Sequence, residues 1–220
     1  HAKEAFKKLE LLIVQDIFLH ETAEIADIVL PATTFAEKDG TFTNSERRVQ
    51  RVRKLINPLR NSLPDWKIIS DLAINLSKKI NPDLIKEFEY SHPSEIWEEM
   101  AKLTPSMSGI SYERLEKEGG IQWPCINEND PGTRYLYADD FPRGEKAKFV
   151  GFDQDAPAKE LPSKNFPLIL NTGRILYHWH GGTMTRRSKE LLERSPELEI
   201  NINESDGKLY GVLDKEWIKI

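Results

Sequence analysis

Two short apolar runs constrain this chain more than any other feature of its sequence. Leu11-Leu12-Ile13-Val14 and Asp27-Ile28-Val29-Leu30 are each of strand length, and Pro31 stops the second. Neither alternates apolar with polar, which is the habit of strands covered on both faces in parallel sheets. Helical patterns precede both. Ala2 to Glu10 puts Ala5, Phe6 and Leu9 on one face, and Glu21 to Ala26 carries acids in its first turn. Helix, strand, helix, strand with short connections predicts a parallel α/β sheet.

Further along, Asp65 to Ile80 is the clearest helix. Asp65 can cap it, and Ile69, Leu72, Leu76 and Ile80 form an apolar stripe at helical spacing. Ser94 to Leu103 and Ser111 to Glu118 read as further helices, the second closed by Gly119-Gly120. Gln122 to Lys159 is rich in Pro, Asp and Asn and marks a domain boundary. The expected division is an α/β segment over 1–160 and the beginning of a β-rich domain over 161–220. In the latter, Pro167 to Asn171 and Leu198 to Ile202 read as strands and Thr183 to Glu193 as a basic helix. Asn203 caps a short helix ending at Gly211, ahead of a last strand from Glu216 to Ile220. There is no internal repeat and no low-complexity tract. The chain opens on His1 directly into a helical pattern and closes on an alternating run with nothing after it to pair with. It reads as a piece of a longer protein.

Composition narrows the chemistry. With 39% hydrophobic and 30% charged residues among 220, the chain can bury a core and is not of disordered type. No apolar run approaches the ~20 residues of a membrane span. One cysteine excludes a disulfide framework, and also an iron–sulfur cluster held by this chain alone. A net charge of -5 gives no general nucleic-acid footprint.

Three clusters carry chemical potential. Gln15-Asp16 follows the first apolar run, where ligands of open parallel sheets collect, and reads either as a ligand pair or as a capped turn. Glu37-Lys38-Asp39-Gly40-Thr41, with Asn44, Glu46, Arg47, Arg48 and Gln50, follows the second. There Lys38 and the Arg pair can meet phosphate and Gly40 allows a tight turn, or else the run is a solvated loop. The third and strongest is Asn171 to Arg187, which packs three glycines, two histidines, three arginines and three threonines between a strand and a helix. Its backbone amides and the following helix N-terminus can form an anion cradle. His178 and His180 share a face in extended chain, but no third metal ligand accompanies them, which favours hydrogen bonding to a polar cofactor. Phosphate-loop, GxGxxG and GxSxG signatures are absent. Cys125 has no histidine near it in sequence and reads as a structural or incidental thiol.

In this order the clusters resemble the molybdopterin oxidoreductase superfamily, and within it the C-terminal part of the formate dehydrogenase catalytic (alpha) subunit. The markers are Val14-Gln15-Asp16-Ile17-Phe18, Glu21-Thr22-Ala23, Ala26-Asp27, Leu30-Pro31 and Glu37 to Phe42. Asn44 to Gln50, Pro64-Asp65-Trp66, Gly120 to Cys125 and the Thr172 to Arg187 loop complete them. The resemblance implies a Rossmann-like α/β segment followed by the start of a double-psi-like β-barrel. It implies a bis-molybdopterin guanine dinucleotide cofactor with Mo or W, contacted by Gln15, Asp16, Lys38 and Asp65 in the first domain. Thr172, Gly173, Arg174, His178, His180 and Gly181 would contact it from the second. A 4Fe-4S cluster and the cysteine or selenocysteine metal ligand would lie in a missing N-terminal part, so this segment holds neither the metal nor a catalytic residue. The substrate implied is formate, released as carbon dioxide. Partners would be the rest of the catalytic subunit and iron–sulfur, NAD- or ferredoxin-linked electron-transfer subunits, with no nucleic acid. The setting would be cytoplasmic, the periplasm remaining open. Two other readings stand beside it: a nitrate reductase of the same superfamily, and a structural subunit of a respiratory complex that has lost the cofactor.

Overall fold

A short helix α1 (Ala2–Phe6) leads to β1 (Ile13–Asp16), and the second apolar run forms β2 (Ile28–Pro31). The computed structural model describes residues 2–138, 141, 144, 146–153 and 161–219. The strands pair in parallel, Ile13 opposite Ile28 and Gln15 opposite Leu30. Both strands were expected to be buried on both faces, and the structure corrects this: Ile13 is 43% and Ile28 44% exposed. The sheet they form has two strands, and Val29 within it is 37% exposed. The expected flanking helices are also shorter. The first ends at Phe6, and the second is a single 3-10 turn, Ala23–Ile25. Pieces this short do not sustain helix without packing.

Glu37 to Gln50 is not a loop. Gly40–Thr43 and Arg48–Val52 form an antiparallel hairpin, β3 and β4, with Thr41 opposite Arg51. Its turn is set by Asn44, whose side-chain oxygen accepts from the Glu46 and Arg48 amides at 2.9 and 3.0 Å, and by Arg47 in the left-handed region at φ 66°. Gly40 therefore sits in a strand, paired with Val52, rather than in a turn.

The long helix α2 (Asp65–Ile80) forms as expected, but Pro64 and not Asp65 stands at its N-cap. Its apolar stripe lies outside the packing: Ile69 is 60% and Ile80 76% exposed, while Ile68, Ser70 and Ser77 are buried. Helices α3 (Pro93–Leu103) and α4 (Tyr112–Glu118) follow, capped by His92 and Ser111 side chains. Gly119 then closes α4 in the left-handed region, and β5 (Ile121–Gln122) adds to β4. The core gathers where these meet: Val49, Trp97, Ala101, Ile110, Leu115, Ile121 and Cys125, with Met107, Tyr112 and Trp123 against it. Trp97 adds an indole N–H bond to the Ile110 carbonyl at 2.7 Å, so its burial leaves no orphan donor.

The chain divides into two units, residues 1–148 and 149–220. The expected boundary at 160/161 abuts residues 154–160, which lie outside the described residues, as do Pro142, Pro157 and Ile220 of the expected loop and last strand. In the second unit, the expected basic helix is a 3-10 turn, Thr185–Arg187, followed by α5 (Lys189–Arg194). Helix α6 (Glu204–Tyr210) forms as expected between the Asn203 cap and Gly211. Residues 167–171 and 198–202 form no ladder, nor do 216–219. A strand needs a hydrogen-bonded neighbour, and none is at hand among the described residues.

Candidate functional site

Gln15 and Asp16 end β1, and the chain that leaves β2 brings Lys38 to the same place. Asp65 arrives from the first turn of α2. These sites are far apart in sequence, yet the Asp65 carboxylate accepts from Gln15 Nε2 at 2.8 Å and pairs with Lys38 Nζ. Burial pushes the Asp65 carboxyl up. The hydrogen bonds from Lys38 and Gln15 and the Lys38 charge together outweigh that, holding it below the usual carboxylate value. The cluster thus presents a fixed anion beside a fixed cation, both half-buried. A carboxylate has more acceptor positions than the two used here, and Lys38 has donors to spare.

Other members of these motifs are occupied structurally. Asp16 caps the turn after β1, accepting from the Phe18 amide at 2.9 Å, with His20 Nε2 at 3.6 Å. Glu37 is buried, and its carboxylate accepts from the Thr34 amide and hydroxyl and from the Leu59 amide, at 2.8 to 2.9 Å. The Thr34 amide is the largest influence on it, and the net effect holds its carboxyl below the usual value despite burial. Glu37 therefore braces the segment that carries Lys38, a role its position in a charged run did not reveal. Arg47 and Arg48, considered as phosphate contacts, are also engaged. Arg47 donates to the carbonyls of Trp123, Thr133 and Arg134, and Arg48 to the Gly120 carbonyl and the Gln122 side chain. They fasten the hairpin to the segment after α4, which is a folding task.

The glycine-rich loop is built differently. Thr172, Gly173, Arg174 and His180 are exposed, and Arg174 makes no ion pair among the described residues. His178 is buried, with Nε2 donating to the Ser195 carbonyl at 2.7 Å and Nδ1 3.2 Å from the Thr185 hydroxyl. Thr185 Oγ1 also accepts from the Trp179 amide at 3.1 Å. Gly182 is required by the chain itself: its φ is 80°, and an added Cβ would lie 2.8 Å from the Arg186 side chain. Gly173 and Gly181 are not required in this way, since an added Cβ would meet nothing within 4 Å.

Cys125 is fully buried in the core, with Sγ 3.3 Å from both Arg114 Nη1 and the Asp130 carbonyl. Burial is the main influence and pushes its thiol up, with Arg114 pulling the other way. That is the setting of an unreactive thiol. Among the described residues no group of three His, Cys, Asp or Glu could hold a metal, and no helix is long and apolar enough to cross a membrane.

The donor set suits a polyanionic, hydrogen-bonding cofactor. Glycines with open space above them let backbone approach a ligand closely, an unpaired arginine can meet phosphate, and a carboxylate with free lone pairs can accept from a base edge. Thr33 adds a buried hydroxyl with no hydrogen-bond partner among the described residues, two residues past the end of β2.

Comparison with known proteins agrees in both halves of the chain. Residues 1–75 match the molybdopterin oxidoreductase family and residues 168–220 the molydopterin dinucleotide binding domain. The chain is 46% identical over its whole length to the F420-dependent formate dehydrogenase subunit alpha of Methanocaldococcus jannaschii, of which it covers 32%. Alpha subunits of two F420-dependent formate dehydrogenases of Methanococcus maripaludis match its whole length at 44% and 39% identity, again covering 32% of each. The chain thus spans about a third of the length of these curated relatives. With both family matches in order and relatives at this identity along all of it, this chain belongs to the molybdopterin oxidoreductase family.

Proposed function

We propose that the chain is a segment of a formate dehydrogenase catalytic subunit and that its task is to hold the pterin guanine dinucleotides of a Mo or W cofactor. The observation that carries this is the meeting of Gln15, Lys38 and Asp65 from three separated elements at a parallel strand end. The carboxyl ends of parallel strands are where open α/β sheets place their ligands. The family matches and the names of the relatives support the cofactor and the substrate respectively.

When bound, the cofactor would supply a metal centre for the reversible oxidation of formate to carbon dioxide and the exit for the electrons. The residues of this chain bind and orient. Asp65 accepts from a guanine edge, and Gln15 keeps it aimed. Lys38 offsets the carboxylate and offers donors to phosphate. Asp16 fixes the turn that presents Gln15. In the second unit Thr172, Gly173, Arg174, His180 and Gly181 would contact the dinucleotide, with Arg174 as the cation, open backbone at these glycines and the buried His178 behind them. The segment would begin a β-barrel there, as the α/β segment would belong to a Rossmann-like domain. By itself it would be inactive, because the metal ligand and the 4Fe-4S cysteines would come from the rest of the subunit. Electrons would leave through iron–sulfur, NAD- or ferredoxin-linked subunits. The F420 dependence in the names of the relatives makes an F420-linked partner the first to try. The setting would be cytoplasmic.

Purified complete subunit should reduce a dye with formate and should be inert with nitrate and a reduced dye. Nitrate reduction without formate oxidation would overturn the substrate. Absence of both activities together with absence of Mo, W and pterin would overturn the enzyme reading itself.

A further inference from the structure

His178 was grouped with the cofactor contacts, yet its surroundings give it different work. A carbonyl oxygen can only accept, so the 2.7 Å contact to Ser195 requires the proton on Nε2. In the neutral ring Nδ1 is then an acceptor, and the Thr185 hydroxyl 3.2 Å away is its donor. Thr185 can donate in that direction while one of its two lone pairs accepts the Trp179 amide at 3.1 Å. With the singly protonated ring the chain Trp179 N–H, Thr185 O–H, His178 ring, Ser195 carbonyl is self-consistent, and it uses both nitrogens of a ring that is 6% exposed. A second strap runs alongside: Arg186 donates to the Pro196 carbonyl at 3.1 Å, and its side chain lies over Gly182. Between the straps, residues 179–181 are exposed, His180 among them in the left-handed region at φ 49°.

We propose that His178 is a positioning residue: as the Nε2–H tautomer it locks the loop through Thr185 and Ser195, and thereby presents Arg174, His180 and Gly181 to the dinucleotide without touching it. The proposal deepens the cofactor-binding reading and rests on it for the ligand, while the lock itself is a property of the chain. A non-glycine residue at positive φ is held there by its surroundings, and here the lock supplies them. An imidazole buried with both nitrogens paired is costly to replace, because each lost partner leaves a buried polar group unsatisfied.

The test uses the complete subunit, with and without cofactor, and four variants: His178→Ala, His178→Gln, Thr185→Val and the Ala/Val double. The first readout is tryptic cleavage after Arg186 in cofactor-free protein. His178→Ala and Thr185→Val should each raise it about ten-fold, the scale of one lost buried hydrogen bond with an orphaned partner. His178→Gln, which keeps a donor for Ser195, should restore most of the protection. The second readout is pterin retained through gel filtration. Each single variant should lower it, and the double should fall no further than His178→Ala. Losses that multiply in the double variant, or unchanged cleavage in both singles, would overturn the lock. Thr185→Val is nearly isosteric, so it decides the matter if His178→Ala fails to fold. If the wild-type subunit carries no pterin, the functional reading fails, and the cleavage arm still decides whether the lock exists.

Discussion

The two candidate ligand regions, one in each unit, are built on opposite plans. Around Asp65 the working groups are side chains, brought together from β1, the segment after β2 and the start of α2, and they satisfy one another. Around Gly181 the working surface is backbone with a few exposed side chains, and what holds it is Thr185 in the same loop together with the Ser195 and Pro196 carbonyls just past α5. A site of the first kind depends on tertiary structure for its geometry and keeps its charge balanced without a ligand. The second kind depends on a local lock and leaves Arg174 without an ion pair among the described residues. A polyanionic ligand would therefore find pre-paired recognition in one unit and an unmet positive charge in the other.

The sharpest way to break this comparison is Lys38→Met in the complete subunit. Removing the cation leaves the Asp65 carboxylate beside an incoming phosphate, and hydrogen bonds to charged groups contribute about 1.5–3 kcal/mol. Pterin retained per chain should fall about 10- to 100-fold. The melting temperature of the cofactor-free protein should hardly move, since the pair is partly solvated. Equal loss of stability would mean that the pair is a structural bridge.

The glycines test the other plan. Gly182→Ala forces a side chain into a left-handed position and against Arg186, which costs about 1–2 kcal/mol from the backbone alone. It should lower the melting temperature of cofactor-free protein by several degrees, about 2–8 °C. Gly181→Ala meets nothing within 4 Å, so thermal melts should leave it unchanged while pterin retention drops. If both variants behave alike, the loop is not a surface kept open for a ligand.

The smallest expected effect is a pH dependence shared by Glu37 and Asp65. Both carboxyls are held below their ordinary values, so each adds stability that is full above about pH 4.5 and is lost as pH falls through the folded-state value. Denaturant titrations from pH 6 to pH 3 should show a shallower decline for Glu37→Gln than for the wild type. A parallel decline would mean that the Glu37 bonds to Thr34 and Leu59 do not discriminate between its charged and neutral forms.

Local signals in the sequence were read well where local physics decides. The helices at 93–103 and 112–118, the Asn203–Gly211 pair and the parallel partnership of the two apolar runs all follow from caps, glycines and periodicity. Misreadings came where a partner is distant. Arg47 and Arg48 look like ligand donors until the carbonyls some 70 to 90 residues onward are in place. The Asn44 turn that makes 40–52 a hairpin was hidden by those same charges. The stripe on α2 was legible as apolar but not as uncovered, because periodicity states which face is apolar and not what packs on it. Within the site, Lys38 and Asp65 could be suspected one by one, whereas Glu37 and Thr185 act through residues that no spacing rule connects to a ligand.

The central claim is that this chain forms walls for a pterin guanine dinucleotide, and its most direct test is to assay the complete subunit for what it carries. Metal, oxidised pterin and released guanine nucleotide should co-elute with wild-type protein, and all three should be depleted together in Lys38→Met. A wild-type subunit that folds with neither pterin nor guanine nucleotide, or a Lys38→Met variant that keeps its full complement, would contradict the account.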